Sequence, residues 1–172
     1  MLISPEYREQ QETMHENPDY GRASEIYAPF VSTVIKQFQV TELLDYGAGK
    51  GRLKEGLELA PGHVLTVDHY DPAIPAWSEA PSPCEMVACI DVLEHIEPDC
   101  LDAVLDHLKE LTLRVGFFSV HTEAAVKTLP DGRNAHLIQE GPEWWLPKLM
   151  ERFTLVSYSL MGPGFWVVVN GI

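Results

Sequence analysis

Apolar residues fall along this chain in two rhythms. Between Ser24 and Phe38, Ile26, Tyr27, Phe30, Val31, Val34, Ile35 and Phe38 recur three and four apart, which predicts an amphipathic helix with Pro29 in its first turn or at a kink. Leu101, Val104, Leu105, Leu108 and Leu111 repeat that stripe, and Pro98-Asp99 supplies the proline and acid that favour a helix start. The other rhythm is short and unbroken: Leu43–Tyr46, Val64–Val67, Met86–Ile90 and Val115–Val120, each the length of a buried parallel strand. Leu155–Leu160 and Phe165–Val169 flank Gly162-Pro163-Gly164 and predict a closing hairpin. Arg52 to Leu59 reads as a helix stopped by Pro61-Gly62. Trp144 to Phe153 reads as a short helix that tolerates Pro147 only if it starts near Trp144. Residues 1–20 form a polar lead-in, partly helical, and 122–141 a long loop.

Strands alternating with helices, then a hairpin, predict an α/β open sheet, mostly parallel with an antiparallel pair at its end. The chain divides into a helical lead-in over 1–40, placed to act as a lid, and a ligand-binding domain over 41–172. Ligands of such sheets sit at the carboxyl ends of the strands. That rule gathers Asp45 to Gly51, Asp68 to Asp71, Asp91 to His95, and His121 around one crevice.

Composition narrows the partner. Twelve basic residues against 26 acidic give a formal charge of −14, which opposes a phosphate-tracking surface and so nucleic acid. Cys84, Cys89 and Cys100 lack paired spacing and read as reduced, buried thiols. No apolar signal core opens the chain, and Phe165–Val169 is too short to span a bilayer, so a cytoplasmic protein is expected.

The most informative stretch is Glu42-Leu43-Leu44-Asp45-Tyr46-Gly47-Ala48-Gly49-Lys50-Gly51-Arg52-Leu53, a strand, a glycine loop and a helix start. A P-loop fails twice, at Leu44 where glycine is needed and at Gly51 where Ser or Thr is needed. A dinucleotide fingerprint fails at Arg52, which stands in place of its third glycine. The run Leu-Leu-Asp45-x-Gly47-x-Gly49-x-Gly51 resembles instead the first motif of class I S-adenosylmethionine-dependent methyltransferases. Cys89-Ile90-Asp91-Val92-Leu93-Glu94-His95-Ile96 resembles the "D-V-L-E-H-I" segment of a broad group of small-molecule methyltransferases. His136-Leu137-Ile138 through Phe153 resembles that group's closing part, so the likeness spans roughly residues 40–170.

The resemblance implies a Rossmann-like sheet binding S-adenosyl-L-methionine. Asp45, Gly47, Gly49 and Gly51 would lie along its methionine part, Asp68 or Asp71 would take the ribose hydroxyls, and Ile90 and Asp91 would complete the site. Too few residues separate Asp71 from Met86 for the family's third strand and helix, so about six strands are expected. Adenine would then rest on Ile74 and Trp77, or on Ile90.

Methyl transfer is an in-line displacement that needs alignment and, for an oxygen or nitrogen acceptor, a base. His121 and His136 are the candidates, against a plainer role as a strand cap for His121. His95 and Glu94 read more simply as helix-start residues. Asp91, Glu94 and His95 with His121 or His136 have the residue types of a divalent metal site, resembling small-RNA 2′-O-methyltransferases; the acidic surface argues against it, and no metal is assigned. Asn17-Pro18-Asp19-Tyr20 reads as a turn, with Tyr7, Tyr20 and Arg22 able to touch ligand from the lid. Trp144 and Trp145 read as core or as a hydrophobic wall.

The expectation is a methyltransferase acting on a small acceptor. A non-catalytic binding protein of the same fold is the alternative, and a metal-dependent RNA 2′-O-methyltransferase-like enzyme a lesser one. Gly49→Val is expected to abolish binding of S-adenosylmethionine while leaving the fold largely intact, as titration calorimetry beside circular dichroism would show.

Overall fold

The apolar runs pair into one six-stranded sheet of order β2-β1-β3-β4-β6-β5 in the computed structural model, which describes residues 1–171. Its strands are β1 (Glu42–Tyr46), β2 (Thr66–Tyr70), β3 (Cys84–Ile90), β4 (Thr112–His121), β5 (Phe153–Met161) and β6 (Gly164–Gly171). β1 lies parallel between β2 and β3, with Leu43 opposite Val67 on one side and Met86 on the other. β3 and β4 are also parallel, whereas β6 runs antiparallel between β4 and β5. The expected mostly parallel sheet with a terminal hairpin is therefore present. The short 71–83 segment holds only one 3-10 turn, Pro75–Trp77, so the sheet ends at β2.

The helices are α1 (Pro5–His15), α2 (Ala23–Phe38), α3 (Leu53–Gly56), α4 (Leu101–Leu111) and α5 (Pro142–Met150). Two depart from the sequence expectation. The helix after the glycine loop is a single turn, because Leu57 is already extended. Pro147 stands inside α5, whose first turn begins at Pro142, so the helix forgoes one interior N–H donor. Pro29 likewise lies inside α2. The second strand also starts later than its apolar run suggests: Val64 is exposed, and pairing begins where Thr66 N–H meets the carbonyl of Thr41.

Each face of the sheet has its own cover. α2 sends Ala28, Val31, Val34 and Ile35 against Leu43, Met86, Ala88 and Phe117. α4 and α5 send Leu105, Leu108, Trp145 and Leu149 against Val87, Phe118, Phe165 and Val167. α2 thus shares the sheet's core, while α1 and the segment that joins it to α2 line the cavity at the strand ends. All three cysteines are buried free thiols, and no described helix is long and apolar enough to cross a membrane.

Phe117 is fully buried at mid-sheet and stacks on Trp166 with ring centroids 5.5 Å apart. Phe117→Ala is expected to cost about 3–5 kcal/mol, read as a lower urea midpoint with an unchanged slope.

Candidate functional site

The carboxyl ends of β1, β2, β3 and β4 open into a cavity of about 390 Å³, the size of a small-ligand site. Its first wall is the loop after β1. Gly47 and Ala48 donate their N–H groups to the carbonyl of Tyr70, at 2.7 and 3.1 Å, which folds the loop back over the end of β2. Gly49 N–H then donates to Asp71 Oδ2 at 2.9 Å, while Asp71 Oδ1 accepts from Ala73 N–H at 2.9 Å. Gly47 sits at φ +74, and a Cβ there would collide with the side chain of Val92.

Asp45 reaches the cavity from β1. It is 4% exposed, and its Oδ2 is buried with no hydrogen-bond partner. Burial, reinforced by the charge of Asp71, pushes its pKa up to about 7.

The opposite wall follows β3. Asp91 takes a left-handed φ of 57, uncommon for a residue with a side chain, and donates its N–H to Ser119 Oγ. Its carboxylate and the ring nitrogens of His95 and His136 offer ligand atoms that all lie within 4.8 Å of one another. Backbone carbonyls orient both rings: His95 Nδ1–H donates to Ala135 at 2.8 Å, and His136 Nδ1–H to Glu123 at 2.6 Å. In a neutral ring this leaves each Nε2 lone pair free. Burial above all pushes the His95 pKa down to about 4, so its imidazole is neutral at pH 7. The His121 ring lies 4.8 Å from that of His136 and lines the same cavity. Glu94 is wholly buried; Oε1 accepts from His121 N–H and Oε2 has no partner. Burial, then the nearby Asp91, drives its pKa well up.

α1 roofs the cavity and is tied at both ends. Glu97 accepts from Ser4 Oγ and Ser4 N–H at 2.7 and 2.8 Å. At the other end, Lys50 Nζ donates to the carbonyls of Asn17 and Tyr20, Arg52 to Pro18, and Lys127 to Asp19. Beneath the helix runs a directional chain. Tyr20 O–H donates to Gln11 Oε1, Gln11 Nε2–H to Tyr7 Oη, and Tyr7 O–H to the carbonyl of His95.

Asp45, Gly47, Gly49, Asp71, Ile90, Asp91, His121 and His136 all line the cavity, as do Tyr7, Tyr20 and Arg22. Gly51 does not: it lies against Trp77, which stacks on His69. Asp68 does not either, because it stands exposed in mid-β2 while Asp71 occupies the strand end. Ile74 and Trp77 are outside the lining, where Pro72 and Ala73 appear instead. Trp145 is core, and Trp144 stands outside the cavity beside Lys148. His95 proves a lining residue rather than only a helix-start anchor. His15, Gln11 and Lys127 also line the cavity, from polar segments whose sequence carries no period or motif to single them out.

No protein-family model and no curated protein matches the chain in sequence. Solved structures share its fold. Burkholderia thailandensis 1,6-didemethyltoxoflavin-N1-methyltransferase, solved with 1,6-didemethyltoxoflavin and S-adenosylhomocysteine, superposes with TM-score 0.67 at 17% identity over 99% of this chain and 92% of that one. The N-methyltransferase NodS of Bradyrhizobium japonicum WM9, solved with S-adenosylhomocysteine, gives TM-score 0.60 at 14% identity over 96% and 98%. Small RNA methyltransferase HEN1 gives 0.66 at 13% identity over 88% of this chain and 26% of its own length. The chain has the Rossmann-like fold of class I S-adenosylmethionine-dependent methyltransferases.

The buried acid of β1 sets a pH dependence. The native pKa of Asp45, about 7, lies above its unfolded value, so its contribution to stability is fully present below about pH 4 and is lost as pH rises through about 7. Asp45→Asn removes that loss. Its stability relative to the parent is expected to rise from about zero near pH 4 to on the order of a few kcal/mol near pH 8, measured by urea unfolding across that range.

Proposed function

We propose that this protein is an S-adenosylmethionine-dependent methyltransferase acting on a small acceptor. The observation that carries the reading is the single cavity shared by two chemically distinct walls. One is a glycine loop bonded to a strand-end carboxylate beside an unpartnered buried acid; the other is a cluster of oriented imidazoles. The four strand ends are where ligands of such sheets bind.

S-Adenosylmethionine supplies an activated methyl group on a sulfonium centre. Gly47 and Gly49 bring backbone close to it, and Asp71 accepts from the ribose hydroxyls with the lone pairs its backbone bonds leave open. Asp45 offers its free oxygen to the cationic aminoacyl and sulfonium part. A bound cation would draw Asp45 toward its ionised form, so affinity rises with pH up to about 7. Ile90 packs against the nucleoside, and Asp91 shapes the boundary with the acceptor. His136, with Nδ1–H held by Glu123, presents Nε2 to take the acceptor's proton as the methyl group is transferred.

A second reading has its own support. Asp91, His95 and His136 fit a divalent cation: two imidazoles whose Nδ1–H groups donate to carbonyls, in the manner of oriented metal ligands, beside a carboxylate and the orphaned Glu94 Oε2. Such an ion would supply Lewis-acid activation of an acceptor oxygen. His136 would then be a ligand, and His121 would be left to receive the proton.

Calorimetry with S-adenosylmethionine and an S-adenosylhomocysteine-release assay over an acceptor panel test the reading. Saturable binding with turnover is expected, and His136→Ala should lower turnover by about 10²- to 10⁴-fold with cofactor affinity nearly unchanged. Binding without turnover on any acceptor would favour a non-catalytic role, and no binding at millimolar cofactor would refute both. Loss of activity in chelator, restored by one divalent ion, would select the metal reading.

A further inference from the structure

Two of the side chains lining the cavity carry buried polar atoms with no hydrogen-bond partner, Asp45 Oδ2 and His15 Nδ1. Asp45 is used in the reading above; His15 is not. It is the last residue of α1, and its Nδ1–Cε1 edge faces the glycine loop, with Cε1 3.1 Å from where a Cβ on Gly49 would stand. Tyr20 meets the ring edge-on, with centroids 5.0 Å apart. The charges that act on it are those of Asp71 and Lys50. Lys50 is occupied, since its ammonium donates to the carbonyls of Asn17 and Tyr20.

The geometry points to His15 as a ligand-contacting residue of the α1 end, hydrogen-bonding the ribose of the bound cofactor from beside the glycine loop it packs on. The inference rests on the methyltransferase reading of the site. One observation selects the ribose over the aminoacyl group. His15 lies over Gly49, whose N–H is bonded to Asp71, the strand-end carboxylate suited to a diol. Burial also holds the imidazole below its ordinary pKa, and a neutral ring can donate to a hydroxyl or accept from it. The ties from Lys50 and Arg52 to the strap behind His15 then have a purpose, because they fix the imidazole against the loop that holds the ligand.

The test uses two probes: S-adenosylhomocysteine, and 5′-methylthioadenosine, which keeps the nucleoside but lacks the aminoacyl group. His15→Phe keeps an aromatic ring against Tyr20 and removes the nitrogens. It is expected to raise Kd for both probes by the same factor, about tenfold to a hundredfold, with the melting temperature of the free protein little changed. His15→Asn, whose amide stands near the place of Nδ1, should recover part of the affinity. Parent-like binding by His15→Phe would overturn the inference while leaving the site reading intact. Loss confined to S-adenosylhomocysteine would move His15 to the aminoacyl group and overturn the ribose assignment. Failure of the parent protein to bind either probe would remove the site reading itself.

Discussion

The hydrogen bond from Gly49 N–H to Asp71 joins the two pieces of backbone on which the cavity rests. One piece leaves β1 and the other ends β2, and each is pinned by what the carboxylate accepts. A buried acid is tolerable when its oxygens are occupied in this way, and Asp71 holds one backbone N–H on each. Asp45, its neighbour across the loop, has an oxygen with no such support. The two acids are therefore unequal: Asp71 is the frame, and Asp45 keeps one buried oxygen without a hydrogen-bond partner. The loop conformation imposed by this frame also explains why Gly47 admits no side chain, since Val92 packs directly behind it.

The basic residues of the loop act away from it. Lys50 is a P-loop residue that the loop retains, and Arg52 is the residue that spoils a dinucleotide fingerprint in the sequence. In the structure they reach outward to the strap at Asn17–Tyr20. A chain with such an excess of acid thus spends part of its scarce positive charge on backbone carbonyls of its own strap. The strap is joined in turn to the histidine wall by the Tyr20–Gln11–Tyr7 chain, whose last donor holds the carbonyl of His95. Fully satisfied buried networks of this kind fix one geometry, because any member that moves leaves a polar group stranded.

What the sequence made legible follows from what local pattern encodes. Strands buried on both faces write themselves as unbroken apolar runs, and α4 writes its stripe in five leucines and valines, so the sheet, its hairpin and its missing edge could be read. The strand-end rule likewise located Asp45, Asp71, Asp91 and His121. Other features depend on pairing partners far away in sequence. β2 begins at Thr66 because its N–H meets the carbonyl of Thr41, not because Val64 is apolar. Asp68 and Asp71 differ only in which one the sheet carries to its edge. α5 holds Pro147 in its interior because Trp145 and Leu149 are buried beside Phe153, and tertiary packing outweighs one lost donor. His95 reads as a plain helix-start residue until the loop at Ala135 closes over it and takes its Nδ1–H.

The position of β6 has a kinetic side. β5 precedes β6 in the chain, yet among the described residues its only sheet neighbour is β6, which lies between it and β4. During synthesis β5 emerges before the strand it pairs with in the folded sheet. Phe165, Val167 and Val169, all fully buried, arrive only after it. Until they do, β4 presents an unpaired edge and the core on that face lacks a wall. The chain must therefore hold a partly built parallel sheet open while its last strand is made, which is the interval in which such edges find the wrong partner.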